Sequence, residues 1–185
     1  MALLGGYFTL KWFLRGQIAD EQLFVSGGLY HWTAITILGT GWSVWLVKSK
    51  STTQQFWGDF KMLAQPLAIY ALFASLSVWS WNYVIDKERT DRRRIEAQAD
   101  VDAITQSEES WNDFLSKQTD QAKQQEWRIK GRDTYHQEFS REIDKVASPG
   151  RLFASALLMY MFAALIVSLG ATMLLHHIWG IASLR

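Results

Sequence analysis

The chain predicts an all-α membrane protein of about three transmembrane helices, with a long polar helical segment, hairpin or coiled-coil-like, between the second and third. Three observations carry this expectation. Residues 28–47, 62–85 and 152–178 contain no Asp, Glu, Lys or Arg, and each run is close to the ~20 residues a helix needs to cross a bilayer. Residues 86–146 are highly charged and rich in Gln, with no Pro and no Gly before Gly131, the pattern of water-exposed helix. The chain holds ten Trp and six Tyr. Of these, Trp12, Trp42, Trp45, Trp57, Trp79, Trp81 and Tyr83 fall near the ends of the apolar runs or just beyond them, where amphipathic rings favour the headgroup level. A mean hydropathy of −0.07 and a net charge of +1 average two unlike halves and describe neither.

The elements follow in order. Residues 1–24 read as an interfacial amphipathic segment, with Lys11 and Arg15 at the headgroups and Leu3, Leu4, Phe8, Trp12 and Phe13 dipping into the apolar layer. A cleaved signal peptide is not expected, because Lys11 interrupts the apolar run and no basic stretch opens it. Residues 25–85 form a two-helix transmembrane hairpin. Its first span is the least hydrophobic, with Thr33, Thr36, Thr40 and Ser43 along it. Residues 86–147 are the charged segment. Residues 148–185 hold the third span and a short tail, with Ser148 as cap and Pro149 at the first helical position. Pro66 is placed in the opening turn of the second span.

Small residues at helical spacing mark the expected helix-packing contacts: Gly39 and Ser43 in the first span, Ala64, Ala68, Ala71 and Ser75 in the second, Ala164 and Ser168 in the third. Such residues let backbones approach closely in lipid. Membrane lipids and other membrane or cytoplasmic proteins are the expected partners, in a homo- or hetero-oligomer.

In the polar segment, a heptad started at Val101 places Ile104, Trp111, Leu115, Ala122, Ile129, Phe139, Ile143 and Val146 at a or d positions. It also places Glu108, Gln118, Gln125, Arg132 and His136 there, so the seam is interrupted. A break near residues 116–120, giving a hairpin or loose bundle, is expected rather than one helix of fifty residues. Trp111, Leu115, Ile129, Phe139 and Ile143 are the expected partner-binding residues, being wasteful if left in water.

Lys87, Arg89, Arg92, Arg93 and Arg94 follow the second span directly. They fit anionic lipid headgroups and mark the cytoplasmic side. Interleaved Asp86, Glu88 and Asp91 make nucleic acid a poor fit. The amino terminus and residues 86–147 are then cytoplasmic, the carboxyl terminus is outside, and the compact chain points to a bacterial inner membrane.

Catalytic, cofactor and metal sites are not expected. No phosphate-binding loop, nucleophile elbow, HExxH or EF-hand pattern occurs. The absence of Cys removes disulfides, thiol catalysis and Cys-based zinc sites. Adjacent His176 and His177 point about 100° apart on a helix and read as an interfacial stop. With no charged residue inside the three runs, ion-coupled transport lacks its usual intramembrane group. The expected function is a non-enzymatic subunit that anchors or scaffolds a multi-protein membrane complex, such as a secretion, conjugation or envelope-assembly machine. The alternative is a small homo-oligomeric pore.

Overall fold

The computed structural model describes residues 2–49, 51–52 and 55–177, and the side chains of all of these except Asp20, Glu21 and Phe24. Lys50 and the tail after His177, with Arg185, lie outside the described residues. The elements are α1 (Ala2–Leu14), α2 (Asp20–Lys48), α3 (Phe56–Ser80), a π-helical turn over Trp81–Ile85, α4 (Lys87–Thr105), α5 (Glu108–Lys117), α6 (Gln121–Lys130), α7 (Arg132–Val146) and α8 (Pro149–His177). Among the described residues there is no strand. Two compact units result, Met1–Trp81 with Phe153–Arg185, and Asn82–Leu152.

Among the described residues two helices are long and apolar enough to cross a membrane: α3 with its π-helical turn, Phe56–Ile85, and α8. Helix α2 has the length, 29 residues, about 43 Å at 1.5 Å per residue, but it carries the hydroxyl-bearing stretch noted above. It begins at Asp20, well before its apolar run. Helix α1 ends where Gly16 takes a positive φ of 82°, a conformation that favours glycine.

Helix α3 begins six residues ahead of its apolar run, and this corrects two expectations. Pro66 is inside the helix rather than in its opening turn. Its missing N–H leaves the Met62 carbonyl without the usual donor four residues on. Asp59 is taken into the first turn, where a carboxylate complements the helix dipole. An acidic residue therefore lies within a helix long and apolar enough to cross a membrane. Helix α8 starts as the sequence implies, with the Ser148 Oγ accepting the Arg151 backbone N–H at 3.3 Å and Pro149 at the first position.

In the first unit α2 and α8 run parallel to each other and antiparallel to α3. Near one end Leu46, Leu63, Ala171 and Leu175 form one buried cluster, with Val47 and Met62 against it. Further along, Gly39 lies against Leu67 and Val167, and further again His31 meets Tyr70 and Tyr160.

The charged segment is four helices around a core of its own, Val101, Trp111, Leu115 and Tyr135, with Ile104, Phe114, Trp127 and Ile143 packed against it. Local chemistry sets each break. The Ser107 Oγ accepts the Ser110 N–H at 3.1 Å and caps α5. The Asp120 carboxylate accepts from Ala122 and Lys123 and caps α6. Gly131, at φ 81°, joins α6 to α7. Antiparallel pairing of α4 with α7 is marked by Gln98 donating to Ser140 at 2.8 Å, Asp102 with His136 at 2.8 Å, and Arg94 with Asp144 at 3.1 Å.

Candidate functional site

The expected packing residues occupy three helices of the first unit. Gly39 and Ser43 are buried on α2. A Cβ on Gly39 would collide with Val167 Cγ1 of α8 and sit 3.2 Å from Leu67 Cδ1 of α3, so the bare backbone is what lets the three helices meet there. On α3, Ala71 and Ser75 are buried, while Ala64 and Ala68 are half-buried at the margin. The buried face runs instead through Leu63, Leu67, Tyr70, Ala74 and Val78. On α8, Ala164 and Ser168 are buried, and the Ser168 hydroxyl donates to the Ala164 carbonyl at 2.6 Å.

The crossing of α1 with α2 is built on a cation turned inward. Lys11, expected at the headgroups, is only 4% exposed, and its Nζ donates to the Leu23 carbonyl at 2.6 Å. The ammonium sits 5.9 Å from the ring centroids of Tyr7 and Trp81, a cation–π arrangement. Gly27 makes room for it, since a Cβ there would lie 2.6 Å from Lys11 Cε. Trp12 and Phe13, on the other side of α1, are exposed.

Next to this crossing His31 is fully buried, at 0% exposure, among Tyr7, Tyr30, Tyr70 and Tyr160. Its Nδ1 lies 3.0 Å from the Tyr70 hydroxyl, while its Nε2 has no hydrogen-bond partner. Tyr30 donates to the Leu3 carbonyl at 2.6 Å and ties α1 to α2. Ring centroids 4.4 to 6.1 Å apart make this a packed aromatic junction of four helices.

The opposite end carries a second polar contact. The Asp59 carboxylate of α3, 0% exposed, lies 2.9 Å from His176 Nε2 of α8. The Phe56 ring is 5.7 Å from the His176 ring. His176 is thus a partner of α3, whereas His177 beside it is exposed. Among the described residues no group of three or more His, Asp or Glu could hold a metal ion.

Aromatic rings mark two levels along the first unit. Exposed Trp57 and the tilted pair Trp42 and Trp45, with ring centroids 5.0 Å apart, lie at one end. Trp79 of α3, with Trp12 and Phe13 of α1, lies at the other. From Trp57 to Trp79 is about 33 Å at 1.5 Å per residue, close to the ~30 Å hydrocarbon thickness of a bilayer.

In the second unit the expected partner-binding residues divide. Trp111 and Leu115 are buried in the core, and Ile143, partly buried, packs against it. Ile129 is 81% exposed and Phe139 39% exposed, the latter 5.7 Å from the Trp127 ring. Of the basic run, Lys87 and Arg92 are exposed and Arg93 is half-buried. Arg89 pairs with Asp86 at 3.6 Å, and Arg94, itself exposed, pairs with Asp144. Hydrogen bonds from His136 and then Gln98 hold the Asp102 carboxyl below the usual range. The Glu126 carboxylate beside Lys130 pushes that ammonium upward, and burial raises the Tyr135 hydroxyl.

Sequence reading missed Tyr7, Lys11, His31 and Asp59 as interior polar groups. A signal existed for Lys11, which lies four residues after Tyr7 and so shares its helix face. None existed for Asp59 and His176, which are distant in the chain. No family model matches the chain, and no curated protein or solved structure is similar to it.

Proposed function

We propose that the chain is a non-enzymatic integral membrane subunit that anchors or scaffolds a multi-protein complex, with α2 crossing beside α3 and α8 and the α4–α7 bundle facing the cytoplasm of a bacterial inner membrane. The observation that carries the reading is the contrast between two units. One turns large apolar side chains outward, among them Ile69, Phe73, Leu158, Phe162 and Ile166, between aromatic levels about one bilayer apart. The other has its own core and a charged exterior. A subunit of this form holds a charged helical bundle at a membrane, and the exposed Ile129 and Phe139, with Lys87 and Arg92 for headgroups, are the surface it offers. Affinity purification from native membranes in mild detergent tests it. Foreign subunits in fixed stoichiometry are the expected result. A pure homo-oligomer would overturn the scaffold and direct attention to conductance.

A further inference from the structure

The outer face of α4 is apolar at its centre, and its charges are sorted by position. Arg92, Ile95, Ala99 and Asp102 follow one another at spacings of three, four and three, which places them on one side of the helix. All four are exposed, Ile95 at 68%, while Val101 and Ile104 take the other side of α4 into the core. Residues 87–94 hold five basic and two acidic side chains, whereas residues 95–105 hold three acidic and no basic ones. A lone helix favours the reverse, carboxylates in its first turn and cations in its last. The order therefore costs α4 stability unless a neighbour answers it. Among the described residues Arg92 makes no ion pair. Beside Ile95 and Ala99 lies a groove of about 600 Å³ that reaches Asp144 of α7.

We propose that this face docks on the same face of a second copy of the chain, the two α4 helices running antiparallel about a two-fold axis at the level of Ala97. In that register Ile95 of each copy lies over Ala99 of the other, a large side chain over a small one, with the groove beside it to enter. Arg92 of each copy meets Asp102 of the other. Parallel pairing would instead set Arg92 against Arg92 and Asp102 against Asp102, so the charge order selects the antiparallel arrangement. One patch is then its own complement, as a two-fold pair requires. Asp102 Oδ1 already accepts from His136 and Gln98, which leaves Oδ2 for the guanidinium. The five N–H donors of Arg92 can serve a headgroup oxygen as well, so the contact is compatible with the lipid role proposed above. Two Ile–Ala contacts and two ion pairs make a small interface, and confinement of both copies to a membrane supplies the effective concentration it needs.

The chain has no Cys, so introduced cysteines report pairing directly. Two differently tagged full-length forms, one with Ile95→Cys and the other with Ala99→Cys, are expressed together and mildly oxidised in native membranes. The antiparallel register brings unlike forms within disulfide reach and holds like forms four residues out of step. The mixed disulfide is therefore expected to exceed both like-with-like products. Arg92→Glu added to both forms, or Asp102→Lys added to both, sets like charges together twice per pair and lowers the mixed product roughly tenfold. Arg92→Glu on one form with Asp102→Lys on the other makes both contacts attractive again, and the product returns to the parent level, which also shows that both variants fold. Like-with-like products in excess, a mixed product undiminished by either reversal, or no recovery in the combination overturns the inference. A foreign subunit bridging two copies would not favour the combination. The scaffold reading keeps its own test in co-purification, and foreign subunits alongside the pair satisfy both.

Discussion

Trp111→Ala separates a core residue from a docking residue. The indole is buried, stacked on Phe114 at 5.5 Å and edge-on to Tyr135 at 5.3 Å, in a core with Val101 and Leu115. Truncating a buried Trp to Ala costs about 3–5 kcal/mol, and lost aromatic pairing accounts for ~0.5–1.5 kcal/mol of that per pair. At ~0.05–0.15 kcal/mol per residue, a unit of the length of Asn82–Leu152 has a total stability on the order of 4–10 kcal/mol. The substitution therefore removes a third of it or more. Amide hydrogen exchange followed by mass spectrometry reads this directly, since 1.4 kcal/mol is tenfold in an equilibrium. Protection across α4–α7 should fall by about two decades or more, with α3 and α8 as controls in the same molecule. Ile129→Ala, at an exposed position, should stay within ~0.5 kcal/mol of the parent. Unchanged protection in Trp111→Ala, together with loss of a bound partner, would refute the assignment of Trp111 to the core.

Three further outcomes are expected. Gly39→Ala should destabilise the first unit by about 1–3 kcal/mol through the clash with Val167, whereas Gly41→Ala, with open space around its Cβ, should be neutral or stabilising by up to ~1 kcal/mol; thermal unfolding in one detergent compares them. Tyr70→Phe removes the hydroxyl at His31 Nδ1 and leaves both ring nitrogens without a hydrogen bond, a loss of about 1–3 kcal/mol readable in the same melt. Asp102, held below the usual carboxylate range by His136, contributes stability that is present above the ordinary Asp range near ~3.9 and is lost as pH falls through the lowered folded value. Circular dichroism melts from pH 7 to pH 3 should show this acid loss diminished in Asp102→Asn.

The helical class, the apolar runs of α3 and α8, the start of α8 at Ser148 and Pro149, and a break between α5 and α6 were legible because each rests on local signals: composition, capping and proline. Helix starts were misplaced where no local signal marks them. Gln55 makes no side-chain cap bond at α3, and the charge of Asp59 argued against including it. The interrupted heptad singled out Trp111 and Leu115, which are buried, and Ile143, which packs partly buried against them. It could not say that the burial is internal, because a period of seven states which residues share a face and not which helix covers it. Asp59 and His176 lie 117 residues apart, and no spacing rule connects them.

On the proposed topology helix α2 is a span that summed hydropathy undercounts. Its inward face carries His31, Gly39 and Ser43, all of which lower an average and all of which are covered by α3, α8 or α1. Its outward hydroxyls are Thr33, Thr36 and Thr40. Each donates to a carbonyl one turn earlier, at 2.9, 3.0 and 2.8 Å, so the polar atom a hydropathy scale charges against the helix is already satisfied. What remains toward the outside includes Val25, Leu29 and Ile37. A helix whose polar groups are either covered or bonded to its own backbone can cross beside two more apolar helices, although it would be a poor span alone. That dependence makes a direct demand on the proposed topology: loosening the Gly39 contact should lower the protease protection of α2 in reconstituted vesicles before that of α8, which has the higher hydropathy of the two candidate spans.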